Sequence, residues 1–374
     1  MTVVVITSIP SPYQVELFDA LAAGEPDFRA VYVSRRDRSR SWADPPLQHR
    51  AMVLDEGSGA NGELSRWLDE AGLVVFSDYS SRVVRDAMRR RAGAGMPWCF
   101  WGERPGFHGL GPLGQMRRRI GLAPLHRNHR VPIWGIGQWA VDEYRKEFGD
   151  GKLYCNVPYF SNLERFRAAS TWRTPERGTV RFLYSGALIK RKGVDILARA
   201  FARLAQVRQD VTLSVVGTGP LQDLMQRILA ASASRVRFHG FVAWTDLPKH
   251  YAQADVLCAP SRYDGWGLIV PEAMAAAMPV IATNQMGAAL ELVEHRSNGW
   301  LIDAGDEHRL FEALSEAAGM LASGLGVMGR AAQSRSGAQG IAAGTVRFRN
   351  AVEASYAVWR GSAPQSSAQT KLPA

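Results

Sequence analysis

The chain has 374 residues, 46% of them hydrophobic and 21% charged, a balance that excludes long-range disorder, collagen-like repeats and a coiled-coil rod. Its length fits two or three domains better than one. A net charge of +10, from 45 Lys+Arg against 35 Asp+Glu, suits phosphates, anionic lipid head groups or nucleic acid without choosing among them.

Met1–Pro10 has no basic leading region and reads as a buried strand, Val3–Ile6, not as a signal peptide. The loop Thr7–Pro10 leads into Ser11-Pro12-Tyr13-Gln14. Ser at the N-cap, Pro at the first helical position and Gln at the third spell a capping box, and Val15, Phe18, Leu21 and Ala22 then share one helix face. Further strands are predicted at Ala30–Val33, Leu73–Phe76, Trp98–Trp101 and Val131–Ile136, with helices at Ser81–Arg91 and Gln138–Phe148. This N-terminal series is assigned to residues 1–165, and the polar stretch over 166–178 to a linker. A second series over 179–345 has strands at Val180–Tyr184, Val211–Val216, Val236–Phe238, Val256–Ala259, Val280–Ala282 and Trp300–Ile302. A C-terminal helix over 346–360, able to return to the N-terminal domain, precedes a tail over 361–374 whose Ser, Ala, Gln and Pro content predicts disorder. The longest weakly polar run, Gly267–Thr283, is broken by Pro271, Glu272 and Pro279, so no bilayer span is expected. The three cysteines, Cys99, Cys155 and Cys258, are odd in number and unpaired in spacing, which suits reduced thiols in a cytoplasmic protein.

Two βα series predict an α/β fold of two doubly wound, Rossmann-like domains facing a central cleft, with ligands held by the loops that follow strands. Three such loops in the second series carry chemistry. Ser185–Gly193 holds Gly186 and the cations Lys190, Arg191 and Lys192 at a helix start, suited to a di- or triphosphate; a merely solvated basic loop is the alternative. Gly217-Thr218-Gly219-Pro220 lets backbone come close to a flat or anionic group, though such glycines also serve local turns. The segment Ala259–Ala275 places Asp264 in a loop with Gly265-Trp266-Gly267, and Glu272 where Pro271 opens an alanine-rich helix. Glu272 either favours the helix dipole or accepts adjacent sugar hydroxyls.

SGALIKRKG, VVGTGP, VRFHGFV, ADVLCAPSRYDGWGLIVPEAMAAAMPVIAT and NGWLI, in that order from Phe182 to about Leu314, resemble the nucleotide-sugar-binding domain of the family 4 glycosyltransferases. These are retaining enzymes of the two-domain GT-B fold. The resemblance implies that Glu272 binds the donor ribose, that Asp264 contacts the transferred sugar and that Lys192 lies on the donor phosphates. It also implies that the backbone of Gly265, Trp266 and Gly267 lies near the sugar and diphosphate, and that the loop Phe241–Ala243, around Val242, reads the base. Three positions depart from the family. Asp264 stands where Glu is commoner, Ala187 where many members have an arginine (Arg191 taking over its duty), and Ala277 where Gly is usual, an exchange expected to touch only local packing. The N-terminal block VVVITSIPSPYQVELFDAL is similar to bacterial members but lacks their glycine pair, leaving the helix start at Ser11, Tyr13 and Gln14 to aim amides toward the acceptor side.

The loop after Trp101 carries Glu103, Arg104 and His108. In the family this region lines the acceptor side and carries a functional His or acidic residue, which implies a catalytic part for Glu103 and His108 beside an acceptor-side Arg104; Glu103 paired with Arg104 or another arginine is the alternative. From Arg104 to Arg130 there are six arginines and three histidines, no Asp or Glu, and interleaved Leu110, Leu113, Met116, Ile120, Leu122 and Leu125. That is the composition of a segment drawn to anionic lipid, or else of a solvated charged face, and Arg82, Arg85, Arg89, Arg90 and Arg91 are expected to extend it. No nucleic-acid module accompanies it, so nucleic acid is not expected as a partner. The sequence has no Asp-x-Asp, in keeping with a metal-independent enzyme that needs no cofactor beyond its nucleotide-diphosphate sugar. The expected activity is retaining transfer to an acceptor hydroxyl, on a lipid-linked glycan in surface or exopolysaccharide synthesis or on a soluble small molecule, at the inner face of the plasma membrane in the lipid case. A non-catalytic nucleotide-sugar-binding scaffold and a phosphorylase on the same fold are the competing readings.

Overall fold

The computed structural model describes residues 1–35, 44–54, 60–105, 111–171 and 178–361. His108 and Leu110, residues 172–177 of the expected linker and the expected disordered tail beyond Gly361 lie outside the described residues. The chain divides into two compact units, one formed by Met1–Ser161 with the C-terminal helix and one by Asn162–Gly340.

In the first unit β1 (Val3–Thr7), α1 (Pro12–Gly24), β2 (Phe28–Tyr32), β3 (Arg50–Val53), α2 (Ala60–Glu70), β4 (Leu73–Phe76), α3 (Arg82–Gly93) and β5 (Trp98–Gly102) are followed by α4 (Gly111–Gly121), α5 (Ala123–Arg127), β6 (Ile133–Gly135), α6 (Gln138–Phe148) and β7 (Tyr154–Asn156). The second unit runs α7 (Glu164–Ser170), β8 (Val180–Ser185), α8 (Val194–Val207), β9 (Val211–Val216), α9 (Gln222–Ile228), β10 (Val236–Gly240), α10 (Leu247–Ala252), β11 (Val256–Ala259), α11 (Ile269–Ala275), β12 (Val280–Thr283), α12 (Gly287–Leu292), β13 (Gly299–Ile302), α13 (Glu307–Gly319) and α14 (Ala322–Ser336); α15 (Ile341–Trp359) closes the first. The sheets have strand orders β3-β2-β1-β4-β5-β6-β7 and β10-β9-β8-β11-β12-β13. Every strand pairing in them is parallel. Order reverses between β1 and β4 and between β8 and β11, the two switch points at which doubly wound sheets bind ligands. Each unit has its own apolar core, around Trp67, Phe76, Trp98 and Phe100 in the first and around Phe182, Leu197, Phe201 and Trp300 in the second.

Central strands are buried on both faces and so read as apolar runs. β3 and β7 escaped the sequence reading because they are edge strands, half-exposed, with the mixed sequences RAMV and YCN. The expected linker is corrected at its start. Phe166, within α7, is fully buried and packs edge-on against Tyr251 at 5.0 Å, so this segment belongs to the second unit. The C-terminal helix starts at Ile341 and is held to the first unit by side chains from its sheet. Trp134 Nε1 donates to Ser355 Oγ at 2.9 Å, Trp359 Nε1 donates to the Trp98 carbonyl at 2.9 Å, and Phe348 packs edge-on against Trp101 and Trp134.

Arg91 also departs from expectation. Its guanidinium is buried, donating to the carbonyls of Leu68, Ala71 and Pro97, and burial lowers its pKa to about 10. It ties α3 to α2 and adds nothing to a surface. Ala277 is a matter of backbone, not only of packing. It has φ 54° in the turn after α11, with its N–H on the Met274 carbonyl at 3.0 Å and Met278 N–H on that of Ala273 at 3.0 Å. A left-handed alanine at a helix C-terminus costs about 1 kcal/mol that glycine does not incur. Ala277→Gly is therefore expected to stabilise the second unit by about 1 kcal/mol, read as a higher urea midpoint with an unchanged slope.

Candidate donor site at the switch point of the second sheet

β8 and β11 are neighbours, so the loops that leave their C-terminal ends, 186–193 and 260–268, emerge side by side. They are bonded to one another. The Arg191 carbonyl accepts from the amides of Arg262 (2.8 Å) and Tyr263 (3.4 Å), and Arg191 Nη1 donates to the Tyr263 carbonyl at 3.0 Å. Lys192 Nζ pairs with Asp264 Oδ2, the two side chains only 17% and 13% exposed. Arg262 forks onto Asp195 in the first turn of α8, at 2.6 and 2.8 Å. Burial acts to raise the Asp195 carboxyl, but the bonds and charge of Arg262 outweigh it and hold the group below its ordinary value. The basic loop is thus no solvated run: Arg191 and Lys192 join it to the loop that carries Asp264.

α11 begins at Ile269, two residues before Pro271, and this puts Glu272 in its first turn with 8% exposure. Tyr251, on α10, donates its hydroxyl to Glu272 Oε2 at 3.4 Å. Burial, then the Glu272 charge, pushes the Tyr251 phenol well above its ordinary range, so it stays a donor at neutral pH. Tyr251 therefore ties Glu272 of α11 to α10. The sequence reading missed it, since a tyrosine in a short helix carries no signal that separates a core ring from a buried hydroxyl with a task. Tyr251→Phe keeps the packing but leaves the carboxylate without this donor. A roughly tenfold weaker affinity for nucleoside diphosphate with little change in melting temperature is expected, measured by calorimetric titration.

Asp264 is fixed from its other side by the turn before α12. Its N–H donates to the Gln285 carbonyl (2.8 Å), its carbonyl accepts from Gly287 N–H (3.3 Å), and the Trp266 carbonyl accepts from Ala288 N–H (2.9 Å). The Trp266 indole is 1% exposed, so it anchors the loop from within. Gly267 has φ 91° and lies against the Asp264 carboxylate, where a Cβ would stand 3.3 Å from Oδ2. Gly217 and Gly219 both lie against protein backbone. A Cβ on Gly217 would overlap the Gly186 carbonyl oxygen, and one on Gly219 the Leu188 backbone. Their bareness lets two βα loops interlock, with Gly186 N–H on the Val216 carbonyl and Leu188 N–H on that of Thr218, both at 2.9 Å. Val242 lies half-buried just beyond Gly240, whose carbonyl accepts from Gly217 N–H at 2.7 Å.

In the first unit the expected capping box does not form. Ser11 is the N-cap of α1 and Pro12 its first residue, but the Ser11 side chain caps nothing, and Gln14 Nε2 turns back to Thr7 Oγ1 at 3.4 Å. Glu103 is exposed and accepts from Tyr159 Oη at 3.1 Å, while the Tyr159 ring packs on Tyr13 at 4.8 Å. Tyr159, which the sequence reading passed over, thereby joins the first turn of α1 to the loop after β5. The Arg104 guanidinium stacks on Trp139, 3.6 Å from the ring centroid.

Two doubly wound units, one with a carboxylate and two cations gathered at its switch point, define the chain as a GT-B glycosyltransferase that uses nucleotide-sugar donors. Residues 179–319 match the family model described as glycosyl transferases group 1. A GDP-mannose-dependent alpha-(1-6)-phosphatidylinositol monomannoside mannosyltransferase of Mycobacterium tuberculosis is 35% identical over 300 residues, 75% of this chain and 76% of that one. The chain belongs to the group 1 glycosyltransferases, of family 4 type. A GDP-mannose-dependent monoacylated counterpart from Corynebacterium glutamicum is 26% identical over 200 residues, 48% of this chain and 51% of that one. Among solved structures, the Anabaena HepE protein in complex with UDP superposes with a TM-score of 0.73 at 16% identity, covering 94% of this chain and 100% of that one. The sucrose-phosphate synthase of Thermosynechococcus elongatus does so with 0.72 at 18% identity, covering 94% and 98%. Among the described residues no helix is long and apolar enough to cross a membrane.

Proposed function

We propose that this protein transfers mannose from GDP-mannose to a hydroxyl of a membrane-lipid acceptor, with retention at the anomeric carbon and without a metal ion. The observation that carries the reading is the joint of Arg191 and Lys192 with Tyr263 and Asp264 at the β8/β11 switch point, with Glu272 in the first turn of the helix that follows. In it Glu272 clasps the ribose hydroxyls and Asp264 contacts the transferred sugar. Arg191 and Lys192 take up the charge that grows on the leaving diphosphate as the sugar–oxygen bond breaks, the place where fixed cations lower a barrier most. Gly186, Gly217, Gly219, Val242, Gly265, Trp266 and Gly267 shape the donor pocket around them, and Ser11, Tyr13, Gln14, Glu103, Arg104 and His108 serve the acceptor side. The donor sugar and lipid acceptor are taken from the named activity of the mycobacterial relative; a cytoplasmic protein at the inner face of the plasma membrane suits both. The test is a product analysis. Protein incubated with GDP-mannose and a lipid extract in excess chelator is expected to release GDP and form an α-mannoside. A β-linked product, or a strict requirement for a divalent ion, overturns the mechanism. Glu272→Ala should abolish the rise in melting temperature caused by GDP.

A further inference from the structure

α4 is turned the wrong way round for a helix in water. Leu113, Met116 and Ile120 are 72%, 57% and 56% exposed, while Gly114 and Gly121 face the protein and a Cβ on Gly121 would press into the Tyr79 ring. Arg118 also points inward, its guanidinium forked onto Glu147 of α6. At about 100° per residue the three apolar side chains form one stripe, and Arg117 and Arg119 stand about 70° and 90° to either side of its centre. Both are exposed, as are His126, Arg127, His129 and Arg130 just beyond. No Asp or Glu occurs between Arg104 and Val141. An apolar stripe aimed outward and bordered by cations has no use in bulk water, but it matches the boundary between acyl chains and anionic head groups.

We infer that α4 is a membrane-docking helix that lies in the plane of an anionic bilayer, with Leu113, Met116 and Ile120 sunk among the acyl chains and Arg117 and Arg119 at the phosphates. This deepens the lipid-acceptor reading and rests on it, since a docked first unit is what brings a lipid-borne hydroxyl within reach. Each arginine close to such a surface is worth roughly fivefold in binding, and the stripe supplies the part that salt does not screen.

The experiment is co-sedimentation of the full chain with vesicles of phosphatidylcholine alone or mixed with phosphatidylglycerol. Binding to the mixed vesicles is expected. A Leu113→Glu, Met116→Glu, Ile120→Glu triple variant should bind at least tenfold more weakly, and an Arg117→Gln, Arg119→Gln variant should bind more weakly with a shallower salt dependence. The substituted side chains are exposed, so melting temperature and its rise with GDP should be unchanged in both variants. Failure of wild type to sediment with anionic vesicles, equal binding by the triple variant, or binding to single-stranded RNA in place of vesicles overturns the inference. Failure here with mannosyl transfer intact leaves the proposed activity standing. Vesicle binding without transfer to any lipid removes the activity and leaves the docking helix.

Discussion

Lys192→Ala is expected to lower kcat by a hundredfold or more while changing KM far less, measured as GDP released from GDP-mannose in the presence of acceptor. The asymmetry follows from where charge appears. In the ground state the diphosphate is already ionic and several groups share it. In the transition state one more negative charge develops on the leaving oxygen, and a fixed cation in a largely water-excluded site then counts for roughly 3 kcal/mol. A second consequence separates Lys192 from an ordinary surface lysine. Asp264 is largely buried and pairs with Lys192, so the alanine variant strands a carboxylate and should lose about 2 kcal/mol of stability in the second unit. Lys192→Arg keeps the charge, and with it most of the stability, but presents a planar fork where the geometry suits a compact ammonium, so its rate should recover only in part. A kcat within about threefold of wild type for Lys192→Ala would contradict the role given to this lysine.

The same pair bears on the departure at position 264. An aspartate is one methylene shorter than the commoner glutamate, and here it sits directly on Lys192, with Gly267 bare of a side chain against it. Without donor the two charges neutralise each other across the joint between the β8 and β11 loops. In the proposed reaction, donor entry exchanges this partner for a phosphate on the lysine and sugar hydroxyls on the aspartate. Nothing is left as a buried, unpaired ion at either stage, and such an ion is the costly state.

How far the sequence announced this site depends on what each residue does. The strands that carry it, such as Val211–Val216 and Val256–Ala259, fall where their apolar runs put them, because a central parallel strand is buried on both faces. Arg191, Lys192, Asp264 and Glu272 were legible through motif order, and their loops meet because the reversal of strand order makes β8 and β11 parallel neighbours with their C-terminal ends side by side. Tyr251 and the turn Gln285–Gly287 were not legible. They act through single hydrogen bonds between segments remote in the chain, from Tyr251 to Glu272 and from Asp264 to Gln285. Such contacts have no periodicity and no composition. The reading of Gly217 and Gly219 found the right residues for an incomplete reason, since what presses on them is the backbone of the neighbouring loop.

Gly193 gives the most demanding test of that interlock. It has φ 70° as the N-cap of α8, and a Cβ added there would overlap the Pro260 carbonyl oxygen, well inside the 3.0 Å that real Cβ atoms respect. Two costs therefore add in Gly193→Ala. The left-handed backbone accounts for about 1 kcal/mol. The clash accounts for more, because its target is main chain at the root of the Asp264 loop and cannot rotate away as a side chain would. Gly305 separates the two, since it has φ 86° with nothing within 4 Å of its Cβ position. Gly305→Ala should cost about 1 kcal/mol and leave GDP binding unchanged. Gly193→Ala should cost roughly 3 kcal/mol and weaken GDP binding by more than tenfold, as Arg191 and Lys192 are pushed off Tyr263 and Asp264. Equal losses in the two variants would mean that the glycine answers only to its own dihedral angle, and that the loops after β8 and β11 are positioned independently.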